Sequence, residues 1–173
     1  MHPAARSFFK VKANLDRRTM QTFADNNINQ MQPGIESLST PVLKLMKKGA
    51  NGISNVFTLR LSEECGLRMH WSILLGFEGE TSDHYRHQVE VSRRIRRLRP
   101  PLGPVRCEVE RCAPMRRFPE QHGLRNLRPL RRHAHCHRGE EQTPKLLAYR
   151  FDAARSPASQ AIVDRIVTDA AGA

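Results

Sequence analysis

Apolar positions in the first eighty residues recur mainly at helical spacing. Val11 to Arg18 reads as helix and continues through Met20, Phe23 and Ala24. Asp25-Asn26-Asn27 and Pro33-Gly34 are breakers, which puts a boundary between residues 25 and 36. The run Ser37 to Gly49 predicts a short helix with a defined start and stop. Ser39 or Thr40 can cap the free N–H groups of its first turn, and Pro41 sits early, where a missing N–H costs nothing. Leu38 can staple that turn, Leu43 and Met46 share an apolar face with Val42 beside them, and Gly49 supplies a left-handed end. Lys44, Lys47 and Lys48 are left for the outer side. After the Ala50-Asn51-Gly52 turn, Ser54 or Asn55 can open a helix carrying Phe57, Leu61 and Cys65, which Gly66 closes. Leu67, Trp71, Leu74 and Leu75 make one further stripe, ending at Gly76. No stretch alternates strongly enough to predict a sheet. The expected fold is all-α: four or five short helices around a Leu/Met/Phe/Trp core, with Trp71 and Cys65 inside.

Charge changes the picture beyond residue 80. The 173-residue chain carries 29 Lys and Arg against 17 Asp and Glu, a net +12, which favours a polyanionic partner and says nothing of fold. Five of the lysines precede residue 50, whereas Arg86 to Arg138 holds fifteen arginines, no lysine and four glutamates, or about +11. That shift predicts an organisation of 1–80 as a helical domain, 84–145 as an arginine-rich, proline-broken arm, and 156–171 as a short helix behind Ser156-Pro157. A helix from about Tyr85, stopped at Pro100-Pro101, would lead into an arm with too few large apolar residues to offset its ordering entropy, hence disordered. No apolar run suits a signal peptide or a membrane span, so a cytoplasmic location with reduced Cys65, Cys107, Cys112 and Cys136 is expected, and no membrane partner.

The order of the motifs resembles the lambda-repressor-like (Cro, phage repressor, Xre-type) helix-turn-helix regulators. In that family a recognition helix and Gly are followed by a helix ending Leu-Gly-Val, then a Trp-Leu-Leu helix and Gly. Ser37–Gly49, Leu59–Leu67 and Trp71–Gly76 resemble those pieces, and Ser156–Asp164 resembles a segment that follows the domain in some phage regulators. The usual Gln-x-x-Leu-Ala helix is replaced by Ile28–Ile35, which Pro33-Gly34 interrupts. The resemblance implies a DNA-binding transcription regulator and not an enzyme. Ser39, Thr40 and Lys44 would read bases, Lys47, Lys48 and Arg18 would hold phosphates, and a homodimer would read a palindrome. No cofactor, metal or small-molecule substrate is implied.

Other readings stand beside it. The Ser37–Gly49 segment also fits an ordinary solvated amphipathic helix. The arginine arm alone would bind nucleic acid without sequence preference. His135-Cys136 to Thr143 resembles the phosphate loop of tyrosine phosphatases, yet Gln142 stands where that loop needs arginine, so its charge-assisted clamp is missing. Cys107 and Cys112 with His133, His135, Cys136 and His137 offer zinc donors, but the two-residue histidine steps are not those of a finger, which favours free thiols and solvated histidines. The switch from lysine to arginine also fits a GC-rich gene read partly out of frame.

Overall fold

The computed structural model describes residues 7–131 and 150–154. Among them the chain alternates strand and helix: β1 (Phe8–Val11), α1 (Arg17–Asp25), β2 (Gln30–Pro33), α2 (Thr40–Leu45), α3 (Gly52–Glu64), β3 (Arg68–Met69), β4 (Ile73–Leu75), α4 (Ser82–Arg94) and β5 (Pro104–Arg106). Then come β6 (Val109–Glu110), α5 (Pro114–Arg117), β7 (Arg125–Pro129) and β8 (Arg150–Ala154). The fold is mixed α/β, which corrects the all-α expectation.

β1, β2 and β3 form a parallel sheet in that order, with Lys10 opposite Gln32 and Met31 opposite Met69. β4 and β5 pair in parallel, Ile73 opposite Pro104. The Leu74 N–H donates to the Glu36 carbonyl at 2.9 Å, so β4 lies beside the segment that leaves β2. The two small sheets therefore run on as one parallel layer in chain order, joined by helical crossovers as parallel strands require. β6, β8 and β7 make a separate antiparallel sheet over a small core of Val109, Leu124 and Phe151. The Arg116 guanidinium lies 4.7 Å from the Phe151 ring centre.

The helices cover one face of the parallel layer. Met31 and Met69 from the strands, Met20 from α1 and Leu59 and Leu61 from α3 share one buried cluster, against which Val91 of α4 also packs. Local chemistry sets the helix starts. Asp16 caps α1 by accepting from the Thr19 N–H at 2.8 Å, and the Thr19 side chain first, then this backbone bond, lower its carboxyl from the ordinary aspartate value. Asn51 caps α3 by accepting from the Ser54 N–H at 2.8 Å, and the Ser54 hydroxyl accepts from the Asn51 N–H at 3.2 Å. Gly52 follows because there is no room for a Cβ, which would lie 2.1 Å from the Leu38 carbonyl oxygen.

The all-α expectation fails first at β1, where Val11 ends a strand and the helix read from Val11 begins only at Arg17, and again at the two stretches that follow. Leu67, Met69 and Trp71 are buried while Arg68 is exposed and His70 half-buried, a period-2 pattern, so the Leu67–Leu75 stretch carries the short strands β3 and β4 where a helix was expected. Likewise Gln30 to Pro33 alternates and is β2, not a broken helix. The Ser37–Gly49 helix shrinks to the six residues of α2, since 34–39 is an extended strap anchored by other elements. Of the arginine-rich stretch, residues 84–131 carry α4, β5, β6, α5 and β7. The phosphatase-like loop at 135–143, the zinc donors His133, His135, Cys136 and His137, and the helix at 156–171 lie outside the described residues.

Candidate functional site

A cleft of about 770 Å³ opens where the parallel strands reach their carboxyl ends. Open and closed parallel sheets bind ligands at this end, because the loops that follow the strands converge there. Lys10 of β1 and Gln32 of β2, paired in register, supply the sheet floor on the face away from the helices. Leu74, Phe77 and Val105 add apolar wall, Met115 and Phe118 face them from the antiparallel portion, and Arg106 and Cys107 follow at the end of β5. Glu36, Lys47, Lys48, His122 and Arg150 bring charged and ionisable groups to the cleft lining.

The strap from Gly34 to Ser39 gives the cleft one of its carboxylates, Glu36, with Glu108 and Glu110 supplying others. The Gly34 N–H donates to the Val11 carbonyl at 3.0 Å, which continues the β1–β2 pairing. The chain then turns sharply: the Ser37 N–H donates to the Ile35 carbonyl at 2.6 Å, with Glu36 between them at φ 55°. A non-glycine residue in that region persists where its surroundings over-determine it. Glu36 Oε2 pairs with Lys48 Nζ at 2.5 Å, closing the turn onto the end of α2.

The loop after β4 is fixed from below. The buried Glu80 accepts from the Gly76 N–H at 2.9 Å. Gly76 and Gly79 both have φ near 90°, a conformation that suits glycine, and Phe77 is presented between them. Burial, with the Glu80 carboxylate adding to it, raises the Tyr85 hydroxyl far above the ordinary phenol range. Tyr85 therefore stays protonated beside Glu80. In the cleft lining, burial and then the charge of Lys47 lower the His122 imidazole, which favours its neutral form.

The residues singled out from sequence fall in several places. Lys47 and Lys48 line the cleft. Ser39 is the N-cap residue of α2, 1% exposed, with no side-chain capping bond. The Thr40 hydroxyl accepts from the Gly52 N–H at 3.0 Å and ties α2 to α3. Lys44 and Arg18 are exposed on α2 and α1. Cys65 lies in the core, Cys107 on the cleft, and Cys112 is exposed. Among the described residues no three His, Cys, Asp or Glu side chains gather as a metal site. Lys10, Gln32 and Glu36 were not singled out. The signal was present in Gln30-Met31-Gln32, an alternating triplet ahead of Pro-Gly, and in Gly76-Phe77-Glu78-Gly79 behind a strand.

Comparison with known proteins points away from a repressor. The chain is 31% identical over 71 residues to a protein of Methanocaldococcus jannaschii named as a methylthiotransferase. The matched stretch is 41% of this chain and 16% of that protein's length, so the chain corresponds to a small part of its relative. No family model matches. Among solved structures, two of the cobalamin-dependent S-adenosylmethionine radical enzyme OxsB are similar. One holds aqua-cobalamin and the other aqua-cobalamin with S-adenosylmethionine. Each has a TM-score of 0.46 at 17% identity, over 52% of this chain and 14% of that one. Such a likeness fixes neither activity nor ligand.

These findings correct the functional expectation. The similarity is to an enzyme, not to a helix-turn-helix regulator, and the Trp71–Gly76 run matched to the repressor's last helix contains strand β4 and the start of a glycine loop. The transcription-regulator reading, the nonspecific nucleic-acid alternative, the DNA partner and the palindrome-reading homodimer go with it, as does the expectation of a non-enzyme. Among the described residues no helix is long and apolar enough to cross a membrane.

Proposed function

We propose that this chain is part of an enzyme of the methylthiotransferase class, and that the cleft holds a small molecule used in that reaction. The observation that carries the reading is the 31% identity over 71 residues. The position of the cleft at the carboxyl ends of parallel strands supports it independently, and its size falls within the range of small-molecule sites. A cytoplasmic location accompanies the reading, in keeping with free Cys65, Cys107 and Cys112.

The donor set fits S-adenosylmethionine, whose sulfonium methyl group can supply the methyl of a methylthio unit. Glu36 offers a carboxylate to an ammonium or to ribose hydroxyls. Lys10 and Lys47 offer cations to a carboxylate, and Phe77, Met115 and Phe118 offer apolar surface to a base. Calorimetric titration with S-adenosylmethionine and S-adenosylhomocysteine tests this. The expected result is one site per chain for either compound, weakened roughly tenfold by Glu36→Gln, in line with about 1.5–3 kcal/mol for a hydrogen bond to a charged group. Absence of binding to the folded protein at millimolar concentration would overturn the ligand assignment.

A further inference from the structure

Two buried amide side chains converge on the strap that carries Glu36, from elements far away in the chain. Gln88, on α4 and 3% exposed, accepts through Oε1 from the Ser37 hydroxyl at 2.7 Å and from the Leu38 N–H at 2.6 Å. Asn55, on α3 and fully buried, donates through Nδ2 to the Ile35 carbonyl at 2.9 Å and the Ser37 carbonyl at 2.8 Å. Ser37 passes the linkage on, its hydroxyl accepting from the Ser39 N–H at 3.1 Å. The polar groups immediately before and after Glu36 are thus fixed, while its own side chain projects into the cleft and pairs with Lys48.

A core of this size gains little from burying two carboxamides, since each must be fully hydrogen-bonded merely to offset its desolvation. What the arrangement does supply is geometry. Beyond β2 the strap keeps one backbone bond to each neighbour, Gly34 N–H to Val11 and Leu74 N–H to the Glu36 carbonyl, and Glu36 occupies a backbone region that side chains rarely adopt. We propose that Gln88 and Asn55 are positioning residues that hold the 35–38 turn so that the Glu36 carboxylate is presented to a cationic or hydroxyl-bearing group of the ligand. The idea rests on the cleft being the ligand site. It adds that the site's precision is set by residues of α3 and α4 that do not themselves line the cleft.

The hydrogen-bond directions make the assignment testable apart from volume. Gln88 uses only its acceptor oxygen on the strap, so Gln88→Glu keeps both contacts, whereas Gln88→Leu keeps the bulk and loses both. Asn55 uses only donors on the strap, so the near-isosteric Asn55→Asp puts an acceptor against two carbonyls. The full chain and these variants, with Ser37→Ala as a milder perturbation, are compared by amide hydrogen exchange at Ser37–Ser39 and by S-adenosylmethionine titration. We expect exchange at Leu38 to accelerate at least tenfold in Gln88→Leu and Asn55→Asp, and several-fold in Ser37→Ala. Gln88→Glu, which keeps the acceptor at the cost of burying a carboxyl, should slow exchange at Leu38 relative to Gln88→Leu. S-adenosylmethionine affinity should fall in the same order.

Exchange at 37–39 and affinity both within twofold of wild type in Gln88→Leu and Asn55→Asp would overturn the proposal. So would equal behaviour of Gln88→Glu and Gln88→Leu, which would mean that packing alone is at work. If Gln88→Leu or Asn55→Asp does not fold, Ser37→Ala decides through the same two readouts. If wild type binds no S-adenosylmethionine, the ligand reading fails while the exchange pattern still decides whether the amides hold the strap.

Discussion

Gly52 offers the sharpest test of the packing that places the strap. In an exposed helix interior, replacing glycine by alanine stabilises by about 1 kcal/mol through backbone entropy. Here the added methyl carbon would stand 2.1 Å from the Leu38 carbonyl oxygen and 3.0 Å from its carbon. Close carbon–oxygen contacts in proteins sit at roughly 3.3–3.6 Å, so the start of α3 and the strap must separate by about 1.2 Å. Both neighbours are backbone, held by the Gly52–Thr40 bond and by Gln88, and neither can rotate aside. Overpacking costs about 1–3 kcal/mol, and with both neighbours fixed the cost lies at about 2–3 kcal/mol, which outweighs the propensity gain. Gly52→Ala should therefore lower stability by about 1–2 kcal/mol, a fall in Tm of roughly 2–8 °C for a chain of this size. The assay is urea unfolding followed by helix circular dichroism, with Gly49→Ala for comparison. Gly49, unlike Gly52, is left-handed, at φ +66°, and a Cβ there meets nothing within 4 Å, so its variant reports backbone strain without a clash. An unchanged or raised urea midpoint for Gly52→Ala would refute the close approach, and with it the anchoring of α3 against the strap.

Three other outcomes follow from named contacts. Asn51→Ala removes the reciprocal cap with Ser54 and should cost about 1 kcal/mol in urea unfolding, with Asn51→Gly costing only a few tenths. His122 has a folded pKa below its unfolded value, because burial and then Lys47 oppose its charge. The unfolded chain therefore binds the proton more readily: the group's contribution is complete above roughly pH 6.5 and is lost as pH falls through the unfolded value towards the folded one. The Tm should drop more between pH 7 and pH 5 in wild type than in His122→Gln, and parallel curves would refute this. Glu36→Gln should weaken S-adenosylmethionine binding while leaving the stability from urea unfolding within about 1 kcal/mol, since its ion pair with Lys48 is partly exposed.

Local chemistry made some of the architecture legible from the chain alone. The presence of α3, its end at Gly66, the break after Asp25 and the burial of Trp71 and Cys65 follow from glycines and spacing, which act over a few residues, although the cap of α3 is Asn51 and not Ser54 or Asn55. The stretch from Leu67 to Leu75 did not follow, because its apolar letters satisfy two periods at once. Leu67, Trp71, Leu74 and Leu75 suit a helix, whereas Leu67, Met69 and Trp71 suit a strand. Only pairing with β2 on one side and β5 on the other decides between them. The same holds for Ser37 to Ser39, whose hydroxyls look like helix caps in sequence. In the fold Ser37 is tied to Gln88, fifty-one residues on, so the helix starts later and the strap stays extended. The cleft lay furthest from view, since Lys10, Gln32 and Glu36 lack the spacing of any short motif and meet only because parallel strands end together. Sequence determined where the chain could turn and which side chains had to leave water. Long-range hydrogen bonding alone determined which face became sheet, and therefore where a ligand could sit.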